Sequence, residues 1–206
     1  MTGHVLDHAL PSQPSAASRT SLNAYTVGYW SAMLTTGLSL TYVVGQLAEW
    51  LGWLGSAGGP QSMSTPLGIV VLLTPSLLLG SAFLVLLASV HETTPPERKI
   101  WSLVSLAFGI AYAVLISMNY FVQLTFVLPR LLSGDTRGLE PFLFVPFDSF
   151  LYAVDILGYS FMSIATFFAS RVFAGDGLHR MVRWFLMANG LLLPFLVFQM
   201  YYHPLI

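Results

Sequence analysis

Residues 67–90 read LGIVVLLTPSLLLGSAFLVLLASV and contain no charged side chain. As a helix rising 1.5 Å per residue, this run is about 36 Å long, enough to cross the roughly 30 Å hydrocarbon core of a bilayer. Its apolar residues do not alternate with polar ones, as they would in a strand of a transmembrane barrel. The stretch therefore predicts a transmembrane helix, and with it an all-α, polytopic helix bundle.

The whole chain is rich in apolar residues and poor in charged ones. Of its 206 residues 55% are apolar and only 8% are Asp, Glu, Lys or Arg, against roughly 25% in soluble domains. A chain of this length has room for several spans and for no sizeable soluble catalytic domain. There are no cysteines, which excludes disulfides and thiol chemistry. The formal net charge of −1 gives no reason to expect nucleic acid as a partner.

Five apolar stretches are long enough to span a bilayer: about 26–53, 66–90, 100–129, 141–170 and 184–203. They define one transmembrane helical domain at 26–206, preceded by a polar, flexible tail at 1–25. The chain ends at YYHPLI, and both a short external terminus and a further helix beyond Ile206 remain open.

The basic residues predict how the bundle is oriented. With five spans, one side of the membrane carries Arg19, Arg98, Lys99, Arg171, Arg180 and Arg183, and the other carries only Arg130 and Arg137. Because basic residues are enriched in cytoplasmic loops, this distribution predicts a cytoplasmic amino terminus.

Polar side chains form a stripe on each of three predicted spans, at spacings that keep them on one helical face. The stripes are Ser39, Tyr42, Gln46 and Glu49 on span one, Tyr112, Asn119, Gln123 and Arg130 on span three, and Asp148, Tyr152, Asp155 and Tyr159 on span four. Lipid offers no hydrogen-bond partners, so these faces should turn toward the bundle interior. Gln199 and His203 lie at the external end of span five. The polar groups converge in the outer half of the membrane, which predicts an externally open cavity lined by spans one, three and four.

Three carboxylates fall inside the predicted spans, where an ionisable group costs several kcal/mol. We expect Asp155, the deepest, to lie at the cavity floor near the membrane centre and to be protonated and neutral at rest. Asp148 is either a site residue or the partner of Arg130 in an ion pair. Glu49 is either a site residue or a group that reaches interfacial water near Trp53. The alternative role of four amide side chains is hydrogen bonding between helices: Gln46, Asn119, Gln123 and Gln199.

No cofactor pattern is present. The sequence has no HExxH motif and no Cys/His cluster, and its histidines are not placed to hold a haem. Lys99, the only lysine, lies at the border of span three, which excludes a mid-membrane retinal Schiff base. We therefore predict no cofactor and no metal.

Two segments resemble stretches shared by a loose group of uncharacterised bacterial multi-pass membrane proteins: MNYFVQLTFVLPRLLSGDTRGLEP (118–141) and DILGYSFMSIATFFASRVFAGDGLHRMVRW (155–184). The resemblance implies a multi-pass protein of the bacterial inner membrane, with no known activity and no catalytic residue to carry over.

Three functional hypotheses follow. The leading one is a non-enzymatic protein that binds or translocates a small ligand or a proton through the external cavity. The second is a membrane enzyme acting on a lipid or isoprenoid substrate, with Asp148 and Asp155 as an acid/base pair. The third is an accessory subunit of a larger membrane complex. The expected partners are the lipid bilayer and a small-molecule or lipid ligand; homo-oligomers and complexes are left open.

Overall fold

The computed structural model describes residues 16–59, 62–145 and 147–201, and within these ranges it describes the side chains of 23–198. This part of the chain is helical and contains no strand, which confirms the all-α class. The helices are α1 (Ala16–Trp50), α2 (Pro66–Thr93), α3 (Lys99–Val122), α4 (Leu128–Ser133), α5 (Phe150–Ser170), α6 (Leu178–Gly190) and α7 (Leu193–Tyr201). Two 3-10 turns, Pro96–Arg98 and Glu140–Phe142, and a π-helical segment, Gln123–Val127, complete the elements.

Four helical stretches are long and apolar enough to cross a membrane: Pro66–Thr93, Pro96–Ser133, Phe150–Ser170 and Leu178–Phe198. They correspond to predicted spans two to five, and they indicate a membrane protein. α1 has 35 residues but is less apolar than these four, so the first of the five predicted spans is not confirmed.

The boundaries of two predicted elements need correction. α1 begins at Ala16, inside the predicted polar tail. α5 begins at Phe150 rather than at 141, because Ser149 caps the helix by accepting a hydrogen bond from the Tyr152 N–H at 3.1 Å. The apolar residues before Ser149 form a 3-10 turn and a loop instead. Hydropathy alone does not separate such a loop from a helix.

α3 continues into α4 through the π-helical segment, just ahead of Pro129. Proline has no N–H to donate, so the regular bonding pattern cannot continue through that position. The Leu128 N–H bonds to the Gln123 carbonyl one residue further back than in an α-helix. Such wide turns are frequent at functional sites, and this one begins at a predicted site residue.

The helices pack side by side in the order α1, α2, α3 and α5, and α6 and α7 pack against α5. The central core joins Ile69, Leu72 and Leu73 of α2 to Tyr112, Ile116 and Tyr120 of α3. The stretch formed by α6 and α7 is largely exposed. In a membrane this apolar surface would face lipid.

The connections divide the bundle into two ends. At the first, which we call the cavity end, lie the connections 51–65 and 134–149. There the Thr65 hydroxyl donates to the Leu54 carbonyl at 2.7 Å. At the opposite end, Arg98 donates to the Val172 carbonyl at 3.0 Å and Lys99 to the His91 carbonyl at 2.6 Å.

Candidate functional site

A cavity of about 470 Å³ lies at the cavity end, between α1, α2, the π-helical segment and α5. Its volume is within the range of small-molecule sites, roughly 300 to 1,000 Å³. Six residues of the predicted stripes line it: Tyr42, Gln46, Glu49, Gln123, Tyr152 and Asp155. The structure therefore brings side chains from all three polar stripes to one place.

α2 contributes a wall that sequence reasoning missed. Ile69, Leu72 and Leu73 line the cavity on this side, and all three are buried. Because α2 has no polar stripe, nothing in its sequence distinguished this face from its other apolar faces. The cavity is therefore bounded by four helical walls rather than by three.

The two loops of the cavity end cover the cavity, and they too were missed. Its loop residues are Gly59, Ser62, Met63 and Ser64 from one connection and Leu143, Phe144, Val145 and Phe147 from the other. Trp50 and Met63 line the cavity while 48% and 53% exposed, so it reaches the molecular surface beside them. The Gln123 side-chain amide donates to the Phe142 carbonyl, which ties the second loop to the π-helical segment.

Asp155 is held by hydrogen bonds from α3. The side-chain nitrogen of Asn119 donates to Asp155 Oδ1 and to the Leu151 carbonyl, each at 3.1 Å. The Tyr120 hydroxyl also interacts with the Asp155 carboxyl group, and it lies 3.0 Å from the Tyr159 hydroxyl. Tyr120 was missed, although its position beside Asn119 in an apolar run was a usable signal.

The depth predicted for Asp155 is corrected by the true start of α5. Asp155 follows Phe150 by five residues, about 8 Å along the helix axis, and so lies nearer the cavity end than the helix centre. A span starting at 141 would have placed it much deeper.

Two tyrosines of the predicted stripes, Tyr42 and Tyr112, lie next to the polar residues of the cavity. The Tyr42 hydroxyl lines the cavity wall on α1 and donates to Gln46 Oε1 at 3.2 Å. Tyr112 is fully buried behind the cavity, with its ring centroid 6.0 Å from that of Tyr159. Tyr112, Tyr159 and Asn119 therefore form a second layer that supports the lining residues.

Glu49 is buried, only 3% exposed, and neither carboxylate oxygen has a hydrogen-bond partner among the described residues. Its carboxylate packs on Gly68 in the first turn of α2, where a Cβ would lie 2.6 Å from Oε2. The amino terminus of a helix favours negative charge at this position. The alternative that Glu49 reaches interfacial water stays a prediction, since Glu49 also lines the cavity, which reaches the molecular surface.

Asp148 and Arg130 do not join the site. Asp148 is exposed in the loop before α5 and is not among the cavity-lining residues, so it does not share the stripe of Asp155. The ion pairs among the described residues, Arg137 with Asp135 and Arg180 with Asp176, do not include it. Arg130 instead lies over the Phe126 ring at 4.2 Å.

Two predicted residues lie outside the described part. Gln199 belongs to α7 by its backbone, but its side chain is not described, and His203 lies beyond the described residues altogether.

The cavity offers hydrogen-bond acceptors on an aromatic and apolar surface. In the described ranges, no three His, Cys, Asp or Glu side chains gather closely enough to hold a metal ion. The described lining residues include two carboxylates and no Lys, Arg or His. Comparison of the chain with protein-family models, curated proteins and solved structures finds no match.

Proposed function

We propose that this protein is a non-enzymatic membrane protein that binds a small ligand in the cavity and releases or translocates it. The observation that supports this function most strongly is the convergence of six side chains of the three polar stripes on one cavity with apolar walls. Such a site, apolar with few convergent polar groups, is typical of small-molecule binding.

In this proposal α1 is a fifth span, the amino terminus is cytoplasmic and the cavity faces outward. The large apolar side chains exposed on α1, among them Val43, Val44 and Leu47, support a lipid-facing surface. The basic residues at the opposite end, Arg98, Lys99, Arg171, Arg180 and Arg183, outnumber Arg130 and Arg137 at the cavity end. The bacterial inner membrane as location rests on the resemblance of residues 118–184.

Ligand binding is better supported than lipid or isoprenoid chemistry. The enzyme hypothesis used Asp148 and Asp155 as an acid/base pair, and Asp148 lies in a loop away from the cavity lining. Asp155 instead accepts a hydrogen bond from the Asn119 amide, which cannot take the place of Asp148 as an acid or a base. The carboxylate pair that the enzyme hypothesis needs is therefore not brought together in the cavity.

Thermal unfolding of the detergent-purified protein, with and without a panel of small molecules, tests the proposal. We expect at least one compound to raise the Tm of the wild type. Asp155→Asn should unfold near the wild-type Tm without ligand and lose most of the ligand-induced shift. Ser64→Trp should fill the cavity and abolish the shift, whereas Ser133→Trp, exposed at the same end, should keep it. A shift that is the same in all three variants would refute binding at this site.

A further inference from the structure

We propose that the cavity takes an organic ammonium ion, a protonated amine on an apolar or aromatic body, with the Glu49 carboxylate as its counter-ion. This inference rests on the proposed function and names the class of ligand.

Glu49 is a buried acidic residue of the cavity lining. A buried carboxylate with no hydrogen-bond partner is costly, and Glu49 has both oxygens in this condition among the described residues while lining the cavity. The group that best satisfies a carboxylate is a positively charged N–H donor. An ammonium ion in the cavity supplies such donors together with the compensating charge.

The described lining of the cavity has acidic side chains and no basic ones. Glu49 and Asp155 are acidic, and no basic residue is among the described lining residues. No charged residue occurs at the neighbouring positions in the sequence, which are Pro60, Gln61 and Pro146. An anionic ligand would face the Glu49 carboxylate and the Asp155 carboxyl group without a cation to offset them, so the lining discriminates in favour of a cation.

The described lining suits an organic cation better than a metal ion. Metal ions such as Ca²⁺ and Mg²⁺ need six or more oxygen ligands gathered at about 2.0–2.6 Å. No cluster of acidic side chains of this kind occurs among the described residues. The lining instead carries the aromatic side chains Tyr42, Trp50, Tyr120, Phe144, Phe147 and Tyr152. Aromatic faces attract organic cations, and the apolar α2 wall suits the carbon body of an amine.

Three soluble probes of similar shape separate charge from shape: phenethylammonium chloride, neutral 2-phenylethanol and sodium phenylacetate. Binding to the detergent-purified full chain is measured by the Tm shift and by titration calorimetry at equal ionic strength. We expect phenethylammonium to bind most tightly, 2-phenylethanol more weakly and phenylacetate not at all.

Two variants test the role of Glu49. Glu49→Gln keeps the shape of the side chain and removes the charge, and should weaken phenethylammonium binding by about tenfold or more. Glu140→Gln removes the same charge from an exposed position at the same end and should leave binding unchanged. Gly68→Ala keeps the Glu49 charge but displaces its carboxylate, and should also weaken binding.

The outcomes separate this inference from the proposed function. If 2-phenylethanol or phenylacetate binds more tightly than phenethylammonium, the ligand is not an ammonium ion. If Ser64→Trp abolishes that binding, the cavity still binds a ligand and the proposed function stands. Equal phenethylammonium binding by wild type and Glu49→Gln would overturn the counter-ion role. Failure of phenethylammonium to bind would overturn the ammonium inference, while the wider panel of compounds decides the proposed function.

Discussion

Asn119 connects α3 to α5 at the site, and its replacement by alanine tests that connection. The side chain is fully buried, and its amide nitrogen donates to Asp155 Oδ1 and to the Leu151 carbonyl. Asn119→Ala removes both bonds and creates no charge. We expect the variant to fold and to be less stable than the wild type.

The change in the free energy of unfolding caused by Asn119→Ala is the sum of the hydrogen bonds lost and the unsatisfied acceptor removed. Hydrogen bonds between membrane helices average about 0.6 kcal/mol and reach about 1.7 kcal/mol, so two of them contribute about 1–3 kcal/mol. Asn119 Oδ1 has no partner among the described residues, and removing this unsatisfied acceptor returns about 1 kcal/mol. The expected net loss in the free energy of unfolding is therefore about 0–2 kcal/mol, with a central value near 1 kcal/mol.

Reversible unfolding by SDS in mixed micelles, followed by circular dichroism, measures this loss. The matched control is Ser160→Ala, since Ser160 is buried on α5 and donates only within its own helix, to the Ile156 carbonyl at 2.8 Å. The control should change stability by less than about 0.5 kcal/mol. If Asn119→Ala and Ser160→Ala are equally stable, the bonds between α3 and α5 contribute nothing and the reasoning is refuted.

Two further predictions concern packing and helix capping, and both are read out by the same unfolding assay. Gly190→Ala should destabilise the protein by about 1–3 kcal/mol, because the new Cβ would lie 2.6 Å from Phe167 Cβ. The control is Gly37→Ala, whose Cβ would have nothing within 4 Å and should stabilise the helix by about 0.5–1 kcal/mol. Equal effects of the two substitutions would contradict the close contact between α5 and α6. Ser149→Ala should cost about 1 kcal/mol by removing the bond to the Tyr152 N–H, and an unchanged stability would show that the cap is not needed.

The sequence predicts the parts of the site that depend on helical periodicity. Gln46 and Glu49 lie three residues apart, as do Tyr152 and Asp155, and such residues share a helical face wherever the helix begins. Because polar faces avoid lipid, the stripes had to meet inside the bundle. This reasoning needs no knowledge of which helices are neighbours, so it survives errors in span boundaries.

The remaining features depend on local caps and long-range contacts that periodicity does not encode. Asp148 fits the periodicity of Asp155, but the Ser149 cap starts the helix after it and leaves it in a loop. The burial of Glu49 depends on Gly68, a residue of another helix whose missing side chain makes room for the carboxylate. Neither fact is visible in the hydropathy of the segment concerned.

The packing beyond Asp155 bears on whether the ligand is only bound or also moved. Toward the opposite end the bundle is tightly packed: a Cβ on Gly158 would lie 2.9 Å from Ile116 Cδ1, between α5 and α3. Binding needs only this conformation, whereas passage needs one in which α5 separates from α3. A ligand favours that second conformation only if it binds it more tightly. Asp155 lines the cavity and also accepts, on Oδ1, one of the hydrogen bonds that join α5 to α3, so ligand contact and helix separation involve the same residue.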